Sequence, residues 1–523
     1  MKNIYKYIFF AILLIAIFFR FWQLTSLPAG LNWDEISHGY NSYSLLKTGH
    51  DQWGKAWPIF NFRAYGDYPT TANLYFTLPF VAIFGLNALS IRLPAAIFGV
   101  LFVIFNYLLA KFILKNEKLA LFNMLLAALS PWALFPSRGV FQSNLAQLFF
   151  IAAIYYFYKS LLKPNLAYLS AIFFGISLYS YHNTRIAVPL LITFFAIYYQ
   201  KSLKNKHHFI SLIIFLFFAI PNMLNLFSPE SQARNRWVGI INPNSINLIN
   251  EQRRLYTGPP ALNRLVNNKA TYYAKKIFTN YVELFNPIPL FFQGSQNYQF
   301  NPPATGLFFI ILIPFFYVGL FRLRQFFIPL LISLLPAAMT VGDFPSIRAT
   351  IALPFYFLAI TYGLSYIKKR PMAFYLVLIV FFVEFFLYWG KYTNYNRDYS
   401  HNWQYGYQEM VTKLKNYYPD YDHIYVTKKY GEAHEFILFF WPWDPLSYQN
   451  DKSLNWDFHA DWYWVNSFDK FIFLNDWEII DTALLPNSLL ITSPQNYLKT
   501  NSNLINKVYF LNGQEAFDFV SYD

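Results

Sequence analysis

Acidic residues are concentrated in a short stretch near the N-terminus. Asp34 and Glu35 stand side by side just after the first apolar run, and Asp51 and Asp67 follow closely. These four make up a large share of the ten acidic residues in 1–390. Carboxylates beside a bilayer are costly unless they are solvated or paired, so the cluster predicts either a functional site or a solvated loop that helps to fix topology.

Basic residues stand in three short turns between apolar runs. Arg138 follows Ser137, Arg185 ends the stretch Tyr181–Arg185 that includes His182, and Arg348 ends Asp343–Arg348. Any single arginine could merely extend its head from a helix end into water. Three such turns favour convergence on an anionic headgroup, because a guanidinium group offers two parallel donors to phosphate.

The two groups together suggest one chemistry. A partly buried carboxylate near a lipid phosphate could deprotonate an attacking hydroxyl, and burial would raise the pKa of that carboxylate while nearby arginine opposed the change. The phosphate would leave without help from a second acid, and arginine would stabilise its growing charge. Asp34 and the three arginines should then line one external cavity.

Composition indicates a membrane protein. Of 523 residues, 56% are hydrophobic and only 13% are charged, against about 25% charged in an ordinary soluble domain. The absence of cysteine excludes disulfides, thiol nucleophiles and cysteine-bound metals. No glycine-rich phosphate loop indicates a nucleotide cofactor, and the excess of Lys and Arg is explained by cytoplasmic loops better than by nucleic acid.

The apolar runs predict a helical protein with about 11 membrane crossings, or 13 if the stretch between residues 70 and 118 holds two more. The first run has no cleavage site and predicts an uncleaved anchor with a cytoplasmic N-terminus. Basic turns place loops 25–70 and 228–304 outside. The runs lie near 5–24, 72–87, 90–114, 119–136, 140–160, 166–181, 185–200, 208–227, 305–321, 326–341, 350–367 and 371–390.

Charge divides the chain into two predicted domains. Residues 1–390 hold 31 Lys and Arg against 10 Asp and Glu, whereas 391–523 hold 10 against 17. We expect a membrane body and an extracytoplasmic α/β domain. The tail predicts a helix near 406–417 and strands at 423–427, 471–474, 488–492 and 507–511. Its tryptophans could stack on carbohydrate, although packing in a small core is the commoner role; they are Trp441, Trp443, Trp456, Trp462 and Trp464.

A series of motifs, in order along most of residues 1–410, resembles the GT-C glycosyltransferases, in particular the ArnT-like branch related to protein O-mannosyltransferases. No single motif is strong, but their order and spacing are specific. The motifs are Trp33-Asp34-Glu35, Tyr65–Pro69, Phe84–Asn87 with Ser90–Pro94, Ser137-Arg138 through Asn144, Tyr181–Arg185, Asn280-Tyr281 through Gly294, Asp343–Arg348 and Trp403–Tyr407.

The resemblance implies a transferase that takes a sugar from a polyprenyl-phosphate donor on the extracytoplasmic face, with inversion. By analogy Asp34 is the base and Glu35 its partner, with Asp67 and Arg138 in the site wall. His182 is assigned to the same site, and Arg185 and Arg348 would bind phosphate. Two departures leave the substrate and any divalent metal open: relatives often carry an acid where Gln142 or Asn144 stands, and some carry Lys or His in place of Asp67.

Two other functions fit a polytopic chain. A lipid-linked glycan flippase or transporter would place ionisable residues at mid-membrane, often in inverted halves, whereas nearly all acids of 1–390 fall in predicted external loops. A polysaccharide polymerase or ligase would share the lipid-phosphate chemistry and differ in its acceptor. The expected partners are a polyprenyl-phosphate sugar, membrane lipids and an acceptor glycan, lipid or protein.

Overall fold

The computed structural model describes residues 2–498, 500 and 502–522, and its first 400 residues are almost entirely helical. The helices are α1 (Lys2–Phe21), α2 (Trp33–Thr48), α3 (Ala72–Phe84), α4 (Ala88–Leu114), α5 (Glu117–Leu129), α6 (Pro131–Leu134), α7 (Gln142–Ser160), α8 (Ala167–Leu178), α9 (Thr184–Tyr198), α10 (Lys206–Asn225), α11 (Pro229–Val238), α12 (Pro243–Leu255), α13 (Pro260–Val266), α14 (Lys269–Glu283), α15 (Ile313–Leu320), α16 (Phe327–Ala338), α17 (Leu353–Leu364) and α18 (Pro371–Asp398).

The remaining residues form the C-terminal α/β region. It contains α19 (Tyr407–Tyr417), β1 (His423–Thr427), α20 (Ala433–Phe440), α21 (Pro445–Gln449), β2 (Asn455–His459), β3 (Trp462–Phe468), β4 (Phe471–Leu474), α22 (Asp476–Asp481), β5 (Ser488–Thr492), β6 (Ser502–Tyr509) and β7 (Glu515–Tyr522).

Several helices are apolar and long enough to cross a membrane. Within the described residues there are four, and two bent helix pairs raise the number to six if each pair is one span. The four are Asn3–Phe21, Ala88–Leu114, Lys206–Asn225 and Pro371–Asp398. The protein is therefore a polytopic helical membrane protein, and the count of 11 to 13 crossings stays a prediction.

Proline accounts for one of the two bends. The axis turns by 62° between Glu117–Leu129 and Pro131–Arg138. Ser130 lies between them in an extended conformation, as expected for the residue before a proline, whose ring excludes the helical conformation at that position. An apolar run that the sequence shows as continuous is therefore broken in the structure.

The C-terminal strands form one mixed sheet in the order β2-β3-β4-β1-β5-β7-β6. The central strand β1 is parallel to β4 and β5, and the other pairs are antiparallel. Helices α19 and α20 cover one face with a large apolar cluster, and a smaller cluster lies around Tyr425. The predicted α/β domain is confirmed, and strands β1, β4 and β5 match the predicted ranges.

Contacts between Cα atoms divide the chain into two compact units. The first contains Met1–Arg20, Phe98–Ser137 and Gln142–Trp389, and the second contains Phe21–Ile97, Arg138–Phe141 and Gly390–Asp523. The second unit thus combines the first predicted external loop with the C-terminal region. The functional division at 390/391 remains a prediction.

Helix α2 of the second unit has a well-defined start and end. The Asn32 side chain accepts a hydrogen bond from the Glu35 amide at 2.9 Å, and the Glu35 carboxylate accepts one from the Asn32 amide at 3.2 Å. This reciprocal cap satisfies two amides that a helix leaves unpaired. The helix ends at Gly49, whose φ of 73° is left-handed and suits glycine. Asp34 therefore occupies the first turn of a fixed helix.

Helix α20 packs closely against α2 in the same unit. Ile36 and Tyr40 belong to one buried cluster with Phe436 and Phe439. A Cβ atom at Gly39 would lie 2.5 Å from the Phe439 ring, so this approach requires glycine. The first external loop and the C-terminal region accordingly share a hydrophobic core.

Candidate active site

Asp34 and Glu35 differ sharply in environment although they are adjacent. The Asp34 side chain is exposed at the start of α2, whereas Glu35 is 0% exposed. Glu35 forms a two-point ion pair with Arg92, with Nε–Oε1 at 2.8 Å and Nη2–Oε2 at 2.7 Å. Its Oε1 also accepts from the Val140 amide at 3.2 Å. Both carboxylate oxygens of Glu35 are thus engaged, while Asp34 faces the outside of the unit.

Two buried arginines hold the chain that leads into α2. Arg92 donates through Nη1 to the carbonyl oxygens of Leu24 and Pro28, and through Nη2 to that of Gly30. Arg138 donates through Nη2 to the carbonyls of Trp22 and Leu27 at 2.7 and 3.0 Å. Both guanidinium groups are completely buried. The structure therefore places Arg138, predicted as part of the site wall, against the backbone of segment 22–27.

His38 is a buried neutral imidazole one turn after Asp34. Its Nδ1 donates to the Asp34 carbonyl oxygen at 2.8 Å, which leaves Nε2 as the unprotonated nitrogen. Within the described residues Nε2 has no hydrogen-bond partner. Burial lowers the pKa of His38 to about 4, against the opposing hydrogen bond to Asp34 and the charge of Asp67. Asp67 is half-buried and its charge acts on His38, while its place in the site wall stays a prediction.

Two buried glutamates of the C-terminal region, Glu432 and Glu435, lie near the loop that carries Asp34. Gln52 donates through Nε2 to Glu435 Oε1 at 2.6 Å, and Glu435 Oε2 has no partner within the described residues. The pKa of Glu435 is raised to about 8, first by burial and then by the charges of Glu432 and Asp34, against the opposing hydrogen bond from Gln52. Burial likewise raises the pKa of Glu432 to about 7, although a hydrogen bond from Trp462 Nε1 opposes this. Glu435 is therefore largely protonated at neutral pH.

Tyr65 links these carboxyl groups to the start of α2. Its hydroxyl donates to the Trp33 carbonyl oxygen at 2.6 Å, and its ring stacks on Trp462 with centroids 5.6 Å apart. Burial raises the pKa of Tyr65 well above its usual value, followed by the charges of Glu435, Asp34 and Glu432. Tyr65 therefore stays protonated, and the charges of three carboxyl groups act on its hydroxyl.

Sequence reasoning missed His38, Glu432 and Glu435. His38 could have been found, because it stands at position i+4 from Asp34 and such pairs share one helix face. Glu432 and Glu435 gave no usable signal, since only the tertiary packing of α20 on α2 brings them to this loop.

The other predicted residues line a cavity of the first unit. A cavity of about 440 Å³ has His182, Arg185 and Arg348 in its wall. Arg185 Nη1 contacts His182 Nδ1 at 3.3 Å, and Arg348 Nη1 donates to Thr340 Oγ1 at 2.9 Å. The Asn183 side chain donates to the Arg348 carbonyl oxygen at 2.9 Å, which joins two of the predicted turns. Two of the three predicted arginines thus line one cavity of this unit, Arg138 is not in its wall, and the shared site with Asp34 stays a prediction.

Metal coordination has no obvious location. Among the described residues, no group of three or more His, Asp or Glu side chains is arranged to hold an ion. The charged groups of the cavity wall are the guanidinium groups of Arg185 and Arg348, which cannot ligate a cation.

Comparisons with known proteins found a family match and structural matches. Residues 70–224 match the family model described as dolichyl-phosphate-mannose-protein mannosyltransferase. No curated protein matches the chain. The apo crystal structure of ArnT from Cupriavidus metallidurans aligns with 99% of this chain and 98% of its own, at 10% identity and a TM-score of 0.54. ArnT from the same organism bound to undecaprenyl phosphate aligns with 100% and 98%, at 11% identity and a TM-score of 0.43.

The family match and the match to apo ArnT agree with the resemblance read from the motifs. The family match covers the middle of the helical region, and the structural match extends over the C-terminal sheet as well. The chain thus adopts the ArnT-like GT-C fold along nearly its whole length, and residues 70–224 carry the sequence pattern of the dolichyl-phosphate-mannose-protein mannosyltransferase family.

Proposed function

We propose that this protein is an integral membrane glycosyltransferase. It transfers a sugar from a polyprenyl-phosphate donor to an acceptor hydroxyl on the extracytoplasmic face, and Asp34 is the general base. The observation that carries the proposal is the contrast at the start of α2, where Glu35 is locked in a buried ion pair and Asp34 is exposed on the fixed first turn. The matched family and the shared fold support the donor class.

The reaction is a single displacement. Asp34 takes the proton of the acceptor hydroxyl as its oxygen bonds to the anomeric carbon, and the bond from that carbon to the phosphate oxygen breaks. The electron pair of the broken bond stays on the polyprenyl phosphate. One displacement inverts the configuration of the sugar carbon, and no second carboxylic acid is needed because phosphate is a good leaving group.

Glu35 supports the reaction through position. Its two oxygens accept from Arg92, Val140 and Asn32, so it fixes the first turn of α2 rather than exchanging a proton. Catalytic groups need placement within a fraction of an ångström, which such a buried support provides. The predicted partnership of Asp34 and Glu35 is therefore one of base and anchor.

The donor phosphate is assigned to the cavity lined by His182, Arg185 and Arg348. Two guanidinium groups in one wall give bidentate donors and positive charge for a phosphate oxyanion. As the sugar leaves, the charge on that phosphate grows, so these groups stabilise the transition state more than the bound donor.

Transfer assays on membranes test the base. Membranes with the wild type or Asp34→Asn receive radiolabelled polyprenyl-phosphate sugars, and loss of label from the lipid is followed. We expect the Asp34→Asn membranes to lose at least about 100-fold in rate, because a carboxamide cannot accept the proton. Asp398→Asn is the matched control, since Asp398 is an exposed aspartate paired only with its neighbour Arg397.

Two outcomes would contradict the proposal. Equal rates in wild type and Asp34→Asn would discard Asp34 as the base. Tight donor binding without turnover, in the presence of acceptor hydroxyls from protein, lipid and glycan, would favour a lipid-linked glycan flippase.

A further inference from the structure

The edge of the C-terminal sheet carries a groove that the transfer reaction does not use. It encloses about 700 Å³ beside strands β2, β3 and β4 and the start of α22. Its lining includes Lys428, Asp457, His459, Trp464, Asn466 and Trp477. All of them belong to the C-terminal region.

Strand register explains why these side chains share one face. Alternate residues of a strand point to the same side, which pairs Asp457 with His459 and Trp464 with Asn466. Asp457 lies directly opposite Trp464 in the antiparallel ladder. Strand β2 is exposed along all five residues, so this face is open at the sheet edge.

A chain of hydrogen bonds fixes the polar groups of the groove. Lys428 Nζ donates to Asn466 Oδ1 at 2.7 Å, and Asn466 Nδ2 donates to Asp457 Oδ1 at 3.1 Å. Asp457 Oδ2 in turn lies 2.7 Å from His459 Nδ1. Planar amide, carboxylate and imidazole groups are thus held in a row, each with further lone pairs or protons for a ligand.

Aromatic rings flank this row. The His459 ring stacks on Trp464 with centroids 5.6 Å apart and planes 21° apart, and Lys428 lies 5.6 Å from the Trp464 ring centroid. Trp477 is 69% exposed on α22. A tryptophan so exposed in a structured helix is uncommon, and exposed aromatics with a wet polar edge are typical of binding surfaces.

We propose that this groove binds a neutral oligosaccharide built of pyranose rings. The apolar C–H face of such a ring stacks on tryptophan, while its hydroxyl groups pair with fixed planar donors and acceptors. Lys428 is outnumbered by Asp457 and Glu478, so the groove carries one net negative charge, which disfavours an acidic ligand.

The groove also connects to the Asp34 region through one residue. Trp462 lies 6.1 Å from Trp464 and stacks on Tyr65 at 5.6 Å, measured between ring centroids. A glycan bound at Trp464 is thus one aromatic residue away from the loop that carries Asp67. Glycan binding by the groove does not require transfer, so a binding measurement tests the groove separately from the proposed reaction.

Titration of purified full-length protein in detergent tests the groove. Hexasaccharides of glucose, mannose, galactose and N-acetylglucosamine are titrated by calorimetry up to millimolar concentrations. We expect at least one to bind, and Trp464→Ala to weaken that binding about tenfold through loss of the stacking partner. Asp457→Asn should weaken it as well, because it removes a charged acceptor from the hydrogen-bonded row.

The control variant is Trp456→Ala, on the same ladder but the opposite face, where Trp456 contacts Trp53 and Tyr463. It should retain binding. Thermal melts confirm that each variant is folded, and Trp464→Phe keeps an aromatic ring should Trp464→Ala fail to fold. Absence of binding by all four hexasaccharides, or equal binding by the wild type and the folded Trp464 and Asp457 variants, would overturn the proposal.

Discussion

The arginines of the two units have different surroundings. In the second unit Arg92 and Arg138 are completely buried and donate to Glu35 and to backbone carbonyls of segment 22–30. In the first unit Arg185 and Arg348 border an open cavity. All four stand beside apolar runs in the sequence, so residue type and neighbours along the chain do not distinguish them. All four contact protein atoms, and what distinguishes the second pair is that Arg185 and Arg348 also line the cavity that we propose for the donor phosphate.

Breaking the buried pair should have the largest effect. Arg92→Met leaves Glu35 buried without its cation, which costs about 3–5 kcal/mol of unfolding free energy. The melting temperature of the purified protein should fall strongly, and transfer should fall with it because α2 loses its anchor.

The double variant Glu35→Leu/Arg92→Met sharpens this test. It removes both charges, so it should recover part of the stability that the single variant loses. If the Arg92→Met protein melted normally but bound the donor more weakly, Arg92 would instead contribute to donor binding, as we propose for Arg185 and Arg348.

Changing a cavity arginine should affect the donor and spare the fold. In the proposed site Arg185→Met would remove charged hydrogen bonds to phosphate worth about 1.5–3 kcal/mol, which corresponds to a rise of roughly tenfold to hundredfold in donor KM. Steady-state transfer kinetics at varied donor concentration give this value.

Arg322→Met serves as the control, because Arg322 is an exposed arginine whose guanidinium group lies over the Tyr366 ring. It should leave the donor KM unchanged. If Arg185→Met lowered the melting temperature as much as Arg92→Met does, the contrast between the two units would be lost.

The smallest expected effect concerns pH. The pKa values of Glu432 and Glu435 are raised to about 7 and about 8 by burial, so the folded state binds protons that the unfolded state releases. Their contribution to stability is complete below about pH 4.5 and is lost as pH rises through 7 to 8. Buried His38 and His434, with pKa values lowered to about 4 and about 3, act in the opposite direction below pH 6.5.

The two effects oppose each other at acid pH and leave a clear window above it. Between pH 6.5 and 8 the two glutamates change protonation more than the buried histidines do, so the melting temperature should fall as pH rises. Glu435→Gln keeps the shape of the side chain and removes its titration. It should therefore reduce the pH dependence of the unfolding free energy by about 1 kcal/mol per pH unit at most, and the melting temperature should fall less steeply with pH. An unchanged slope would show that Glu435 is already ionised in the folded protein.

Local pattern predicted some elements well. Strands at 423–427, 471–474 and 488–492 coincide with β1, β4 and β5, and the helix expected at 406–417 is α19. These segments have apolar and turn signals of their own, so their sequence is sufficient. The predicted strand at 507–511 was only partly right, because β6 begins at Ser502 and ends at Tyr509.

Features that depend on residues distant in the chain could not be predicted from local sequence. Arg92 appeared only as part of a motif, since nothing near it in the chain reveals that Glu35 is its partner. Glu432 and Glu435 stand in a tail that gave no reason to associate it with Asp34. Conversely, the turns at His182, Arg185 and Arg348 were expected on one side from helix order and topology, and the structure has all three residues in one cavity wall, although Arg138, which was grouped with them, is not in it.

The close fit of α20 on α2 has a consequence for how the protein is made. Ile36 and Tyr40 leave the ribosome long before Phe436 and Phe439, with which they share a core. At usual elongation rates the delay is about 20 to 80 s. During that time the newly translated loop exposes an apolar surface that its own chain cannot yet cover. Its assembly is therefore a late step of biosynthesis, and a chain that stops at residue 390 would leave the Asp34 helix without its partner.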